Sequence, residues 1–151
     1  MQTRYAAPVD IHRIQKLLQE AGIQTFIDDD GDLGMVFHPH VFYLTKRHES
    51  PFTGICMWYR NLNVGWAKQA ASFCAAHNAT FFAPKCYTVV SDEGMLAIRL
   101  LHCFNWTWGA TDTQITNEVK AFIQTSQRLF EELEKCFPDR WTTPPKEEDA
   151  Q

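Results

Sequence analysis

Residues 73–102, FCAAHNATFFAPKCYTVVSDEGMLAIRLLH, form the stretch of sequence that decides the fold. A helical pattern that starts at Val64 ends in His77-Asn78, and two strand-like runs follow, joined by the turn Ser91-Asp92-Glu93-Gly94. Glycine suits this turn because it accepts backbone angles that other residues resist. The stretch therefore predicts a helix capped by His77 and Asn78, followed by a β-hairpin.

The hairpin strands are predicted at residues 81–90 and 95–104. Side chains of a strand alternate between its two faces, so every second residue of the later run supplies a core face. Pro84 cannot donate to a ladder and is expected at a sheet edge or bulge. The predicted core residues of the later strand are Leu96, Ile98, Leu100 and Phe104.

The helix before the hairpin carries a stripe of small side chains beside two large aromatic ones. Trp66 and Phe73 lie seven residues apart and so share one face. Small side chains permit close packing, either on the sheet or on a second copy in a homodimer. The stripe consists of Ala67, Ala70, Ala71 and Cys74.

Upstream, the pattern predicts one helix and four strands. Ile11, Ile14 and Leu18 share one helix face, and Gly22 ends the helix with Ile23 folding back on Leu18. The strands are predicted at residues 24–28, 33–38, 41–45 and 52–60, with Asp28-Asp29-Asp30-Gly31-Asp32 as a hairpin turn. The fourth run is apolar on both faces, which is typical of a central strand. Such a strand is covered on both faces, or is covered on one face and presents the other to a partner.

Downstream, a long sheet-packing helix is predicted from Thr111, which has the capping-box spacing to Gln114, as far as Pro138. The predicted fold is α+β, with the order α-β-β-β-β-α-β-β-α and a twisted, mainly antiparallel sheet covered on one face by the first and last helices. We expect a flexible N-terminus over residues 1–8, a single domain over 9–137, and a disordered C-terminal tail over 138–151.

Composition excludes several classes of function. A net charge of -4 and a pI near 5.8 argue against nucleic-acid binding, which needs clustered Lys and Arg. No apolar run is long enough to span a bilayer or to serve as a secretory signal, so we expect a cytoplasmic protein that does not bind membranes. Five cysteines, an odd number, indicate reduced and buried thiols.

No motif predicts catalysis or a cofactor. The acidic turn lacks the glycine and glutamate positions of a calcium-binding EF-hand. His38 and His40 form the one candidate metal pair, with His48 as a third ligand, but Pro39 disturbs the alternation that would align them. A thiol enzyme would need a cysteine paired with a base. Neighbouring strand residues point to opposite faces, so neither Cys86 beside Lys85 nor Cys103 beside His102 is such a pair.

Several turn and packing signals accompany this element order, namely Leu17-Leu18 with Gly22-Ile23, the acidic turn 28–32, Phe73 through Asn78, Pro84-Lys85, and Asp92-Glu93-Gly94. Together with the element order, they resemble the YbjN-domain family, whose fold is similar to that of type III secretion chaperones. The resemblance covers roughly residues 9–137 and implies a small bacterial protein with no enzymatic activity, dimeric, that acts as a chaperone-like or regulatory factor.

We therefore expect a non-enzymatic factor that binds another polypeptide through apolar surface on the sheet or on the middle helix. One alternative is a small hydrophobic-ligand-binding protein, with aromatic side chains lining a cavity between sheet and long helix. A second alternative is a metal-binding enzyme dependent on His38 and His40. The predicted partner-binding residues are Trp58, Trp66, Phe73, Trp106 and Trp108.

Overall fold

A computed structural model describes residues 6–137 and contains the predicted elements in the predicted order. The α+β class is therefore confirmed. The helices are α1 (Ile11–Glu20), α2 (Ala67–Thr80), which follows a short 3-10 turn at Val64–Trp66, and α3 (Asp112–Cys136). The strands are β1 (Thr25–Ile27), β2 (Leu33–Phe37), β3 (His40–Thr45), β4 (Phe52–Met57), β5 (Lys85–Val90) and β6 (Leu96–Phe104).

The strands form one antiparallel sheet in the order β1-β2-β3-β4-β6-β5. Strand β4 lies between β3 and β6, so the prediction that the apolar run after residue 51 is central is confirmed. Strand β5 is at the edge, and Pro84 immediately precedes it, where its missing N–H breaks no central ladder.

The acidic turn between β1 and β2 is built by its own side chains. One carboxylate oxygen of Asp28 accepts hydrogen bonds from the backbone N–H of Asp30 and of Asp32, each at 2.9 Å. Gly31 has a φ of +81°, a conformation that favours glycine. The predicted hairpin turn is confirmed, and its geometry explains the aspartate at position 28.

All three helices pack on one face of the sheet, and α3 lies over its centre. The ring of Phe122 on α3 meets Phe42 of β3 edge to face, with centroids 5.6 Å apart. A Cβ at Gly54 would lie 2.7 Å from the Phe122 ring, so glycine in β4 makes room for this aromatic side chain. Helix α2 approaches the same face through the buried Ala70 and Cys74, which uses part of the small-residue stripe within the monomer.

The start of α3 is fixed by a capping box and by an arginine from α1. The Thr111 hydroxyl accepts from the Gln114 N–H at 3.1 Å and the Gln114 side chain accepts from the Thr111 N–H at 2.8 Å, which confirms the prediction. Arg13 donates to Asp112 at 2.7 Å and also to the backbone carbonyls of Ala7, Pro8 and Ala110.

One of these contacts involves a residue of the predicted flexible N-terminus. Ala7 pairs with Ala110 in an isolated bridge, so its backbone is hydrogen-bonded although it precedes the predicted domain start at residue 9. Most of the predicted flexible N-terminus and the whole predicted tail, residues 138–151, lie outside the described residues. Within residues 6–137, no helix has the length and apolar character needed to cross a membrane.

The predicted helix end at His77-Asn78 is wrong, because α2 continues to Thr80. The two side chains instead fasten the helix to the sheet edge. His77 Nε2 lies 2.8 Å from the Pro84 carbonyl oxygen, and the Asn78 amide donates to the Cys86 carbonyl and accepts from its N–H, both at 2.9 Å. Residues 81–84, predicted as the start of a strand, form a loop because these contacts hold them between helix and sheet.

Candidate functional site

The second face of the sheet carries no helix from the described part of the chain. Residues that alternate with the core positions of β3, β4 and β6 point to this open face, as the ladder pairing of Tyr43 with Ile55, and of Ile55 with Leu101, shows. Most of these side chains are half-buried, and Met57 and Cys103 are exposed. The open face therefore combines the apolar character of a core with exposure to solvent.

A groove of about 650 Å³ runs across the open face. Its floor is apolar, made by Val41 and Tyr43 of β3 and by Ile55 and Met57 of β4. Polar groups stand at its margins, with Asp32 and Arg47 among them. An apolar floor with a few polar groups at fixed places is the usual composition of a binding site.

Arg99 is a charged residue of β6 that lies on this face and lines the groove. In the ladder, Arg99 is opposite Met57 on one side and Tyr87 on the other. One terminal nitrogen lies 3.8 Å from the Met57 sulfur, and the guanidinium carbon lies 6.0 Å from the centroid of the Tyr87 ring.

The hydrogen-bonding capacity of Arg99 is largely unused. Its Nε is buried and has no hydrogen-bond partner, and no carboxylate among residues 6–137 forms an ion pair with it. A guanidinium has five donors in a planar fork that matches a carboxylate, whereas a thioether sulfur is a weak acceptor. Arg99 therefore offers a carboxylate-binding position within an apolar groove.

The acidic margin of the groove is already paired. The two terminal nitrogens of Arg47 donate to the two carboxylate oxygens of Asp32 at 2.7 and 2.9 Å. This contact raises the pKa of the Arg47 guanidinium. Carboxylate oxygens of Asp28, Asp30 and Asp32 come within 4.8 Å of one another, but those of Asp28 and Asp32 serve the turn and the ion pair. We therefore interpret this acidic cluster as a structural turn and not as a calcium site.

Three of the predicted partner-binding residues lie in the core. Trp58, Trp66 and Trp106 are 2%, 8% and 4% exposed. The Trp58 indole donates to Glu134 at 3.2 Å, and the Trp106 indole donates to Glu118. The indole N–H groups of Trp58 and Trp106 are therefore satisfied within the monomer, and all three side chains are buried, although Trp58 also belongs to the lining of the groove.

The other two predicted residues are accessible but lie apart from the groove. Trp108 is 92% exposed in the loop before α3. Phe73 is half-buried, with its ring centroid 6.5 Å from that of Phe137, and its remaining surface lines a second groove between α2 and α3. A partner-contacting role for Phe73 and Trp108 stays a prediction.

The candidate metal ligands do not converge. His38 is exposed in the two-residue turn between β2 and β3, whereas His40 is buried, with its ring stacked on Phe130 at a centroid distance of 4.0 Å. Burial lowers the pKa of His40, and the negative charge of Glu134 opposes this effect. His48 is exposed beside Glu49. Within the described residues these three imidazoles serve separate environments.

The cysteines fall into two groups. Cys56, Cys74 and Cys86 are buried, as predicted, and burial raises the pKa of the Cys56 thiol to about 12. The prediction is wrong for Cys103 and Cys136, which are exposed. Cys103 is on the open face because its ladder partner, Thr53, alternates with the buried positions of β4.

Arg99 was not singled out from the sequence, although a signal for it was present. It interrupts the apolar run Leu96-Ala97-Ile98-Arg99-Leu100-Leu101 of a strand that proves to be next to the centre of the sheet. An unpaired charge inside such a run is expensive unless it faces water or a partner. The alternation places it on the face opposite to Ile98 and Leu100.

Comparison with known proteins agrees with this fold. The model of the family YbjN, described as "Putative bacterial sensory transduction regulator", matches residues 10–135. The structure is similar to "Crystal structure of YbjN, a putative transcription regulator from E. coli", with a TM-score of 0.72 and 12% sequence identity, over 85% of this chain and 93% of that chain. At this identity the similarity shows the fold alone.

No curated protein matches the sequence. The description of the family is that of a regulator and not of an enzyme. Since its model matches residues 10–135, which is well over half of the chain, the protein belongs to the YbjN family.

Proposed function

We propose that this protein is a non-enzymatic regulatory factor that binds another polypeptide in the groove on the open face of its sheet. The observation that carries the proposal is the uncovered apolar floor of a six-stranded sheet, with a groove of about 650 Å³ across it. Exposed apolar patches of this kind mark interaction sites in soluble proteins. The regulatory description of the family supports the same class of function.

The shape and charge of the groove favour an extended polypeptide segment. The floor offers Tyr43, Ile55 and Met57 to apolar side chains along the segment. Arg99 supplies the complementary charge for a carboxylate within the segment, because none of the described acidic residues pairs with it. The expected partner segment is therefore apolar, with an Asp or Glu at one position.

The alternatives have less support. The first alternative placed a small hydrophobic ligand between the sheet and α3, but Phe42, Phe122 and Phe130 are buried and in contact there. The E. coli relative is described as a transcription regulator, but a net charge of -4 does not favour direct DNA contact by this chain. We propose that the protein is a cytoplasmic homodimer and that it regulates through a protein partner.

Site-specific photocrosslinking tests the groove. A benzophenone amino acid would replace Met57 in the groove or, as a control, Val90, which is also exposed but lies at the far end of the edge strand. The full-length variants would be irradiated in cells of the native host. We expect a polypeptide adduct from position 57 and none from position 90.

Two further variants decide whether the adduct reports the groove. Arg99→Ala and Ile55→Asp, each combined with the probe at position 57, should abolish the polypeptide adduct while leaving the fold intact. Equal adducts from positions 57 and 90, or an adduct insensitive to both substitutions, would refute the proposal. A small-molecule adduct in place of a polypeptide would favour the ligand-binding alternative.

A further inference from the structure

Two buried cysteines meet where α2 packs on the edge strand β5. The Sγ atoms of Cys74 and Cys86 lie 3.0 Å apart, and the two residues are 5% and 1% exposed. Neither residue lines the groove on the open face, so the pair is separate from the proposed function. The S–S bond of a disulfide is about 2.05 Å long, so a relative movement of about 1 Å would bring the two sulfur atoms to bonding distance.

The backbone around the two thiols is held in place by side chains of α2. The Asn78 amide, one turn after Cys74, donates to the Cys86 carbonyl and accepts from the Cys86 N–H, each at 2.9 Å. His77 Nε2 lies 2.8 Å from the Pro84 carbonyl oxygen. These contacts hold the start of β5 against α2, and they keep the two sulfur atoms together in the folded protein.

The two thiols differ in acidity. A hydrogen bond from the Cys86 thiol stabilises the thiolate of Cys74 and lowers the pKa of Cys74, although burial opposes this effect. The same hydrogen bond, together with burial, raises the pKa of Cys86. Cys56 is the contrast, because burial raises the pKa of its thiol to about 12. Since the thiolate is the reactive form of cysteine, Cys74 is the more reactive member of the pair.

Cys74 is also the member of the pair that is closer to solvent. Its neighbours on the outer surface of α2 include Ala71 and Ala75, which are exposed and small. Hydrogen peroxide is scarcely larger than a water molecule, so a slight local opening of this thin cover admits it. The thiol that an oxidant reaches first is therefore the one with the lowered pKa.

We infer that Cys74 and Cys86 form an oxidation site, in which a hydroperoxide oxidises Cys74 and Cys86 then closes an intramolecular disulfide. In the first step the Cys74 thiolate sulfur attacks one oxygen of hydrogen peroxide. The S–O bond forms, the O–O bond breaks, and the departing hydroxide takes up the proton released by Cys74 to become water. The Cys74 sulfur is oxidised to a sulfenic acid, and the peroxide is reduced.

In the second step the Cys86 sulfur attacks the sulfenic sulfur of Cys74. The S–S bond forms, the S–O bond breaks, and the departing hydroxide leaves as water with the proton of the Cys86 thiol. Together the two thiols and one hydrogen peroxide give one disulfide and two water molecules. A dithiol reductant reverses the change by thiol–disulfide exchange.

The disulfide would join α2 covalently to β5. It would close the short loop between residues 74 and 86, and such a closure stabilises a protein mainly by restricting the unfolded chain. We expect oxidation to raise the midpoint of urea unfolding by roughly 1 M. An oxidant would therefore lock the middle helix onto the edge of the sheet.

Peptide mapping of the full chain tests the site. Folded, reduced protein would be treated with hydrogen peroxide, blocked with iodoacetamide in urea and digested with trypsin, which cleaves after Lys85 and so separates the two cysteines. We expect a disulfide-linked pair of peptides that contain Cys74 and Cys86, and its loss after reduction with dithiothreitol. The double variant Cys103→Ser/Cys136→Ser lacks the two exposed thiols and is the matched control, which should give the same linked pair.

Single variants test the order of the two steps. In Cys86→Ser the sulfenic acid of Cys74 has no second thiol to react with, so dimedone, a reagent for sulfenic acids, should label Cys74. In Cys74→Ser the remaining Cys86 should take little label, and circular dichroism should show the natural fold for both variants. Unlinked Cys74 and Cys86 in the oxidised natural protein, a linked pair that forms only when the oxidant is added in urea, or equal dimedone labelling of the two variants would overturn the inference.

Discussion

Two histidines on the helix-covered side of the sheet predict that the free energy of unfolding falls as the pH drops below 6.5. The ring of His40 is stacked on Phe130, and the ring of His102 is stacked on Phe122 at a centroid distance of 5.8 Å. Burial lowers the pKa of both imidazoles from their ordinary value of 6.5. Glu134 of α3 opposes this effect at His40, as Glu118 of α3 does at His102, but burial is the larger cause in each case.

The sign and size follow from linkage between proton binding and folding. Below pH 6.5 the unfolded chain takes up protons at these positions before the folded protein does. The contribution of the two neutral histidines to the free energy of unfolding is therefore complete above pH 6.5. It declines as the pH falls from 6.5 towards their lowered pKa values. In this window the free energy of unfolding falls by at most about 1.4 kcal/mol per pH unit for each histidine, or roughly twice that for both.

Urea unfolding between about pH 5 and pH 8 would measure the slope, in a range that stays above the titration of most carboxylates. His40→Phe and His102→Phe keep the ring stacking and remove the proton site, so each should flatten the curve and the double variant should flatten it most. His48→Gln, at an exposed position, is the control and should leave the slope unchanged. A double variant with the full natural slope would refute the assignment.

Two further predictions concern the contacts that join helices to the sheet and to the N-terminal segment. Arg13→Met removes the ion pair with Asp112 and the bonds to three backbone carbonyls, so urea unfolding should show a loss of about 3 kcal/mol, while Lys16→Met on the exposed side of α1 should cost little. Asn78→Ala removes both bonds to the Cys86 backbone, so we expect a loss of about 1–3 kcal/mol and faster hydrogen exchange at the Cys86 amide. Asn78→Asp keeps an acceptor for the Cys86 amide, so that amide should keep part of its protection against hydrogen exchange. Equal exchange of the Cys86 amide in the natural protein and both variants would contradict its hydrogen bond to Asn78.

The sequence predicted correctly the features that depend on interactions between residues close together in the chain. The capping box at Thr111 and Gln114 and the acidic turn at Asp28 depend on residues within a few positions of each other, and both are present as predicted. The central position of β4 followed from its apolar residues on both faces. These features needed no knowledge of distant contacts.

The predictions failed where a distant contact overrides a local pattern. His77 and Asn78 have the composition of a helix end, yet their side chains bind Pro84 and Cys86 across the loop, and α2 continues past them. Trp58 presented the features of a contact residue, but Glu134 of α3 accepts its indole hydrogen bond. That partner is 76 residues away in the chain, a separation that no local pattern reveals.

The homodimer that we propose would carry two sheet grooves, one in each copy. Two grooves held in one particle favour a partner with two suitable segments, since binding of the first raises the effective concentration of the second. Dissociation of the homodimer would then weaken the binding of such a partner while leaving the affinity of a single segment unchanged. Arg99→Ala would weaken both, which distinguishes the role of the groove from that of the dimer.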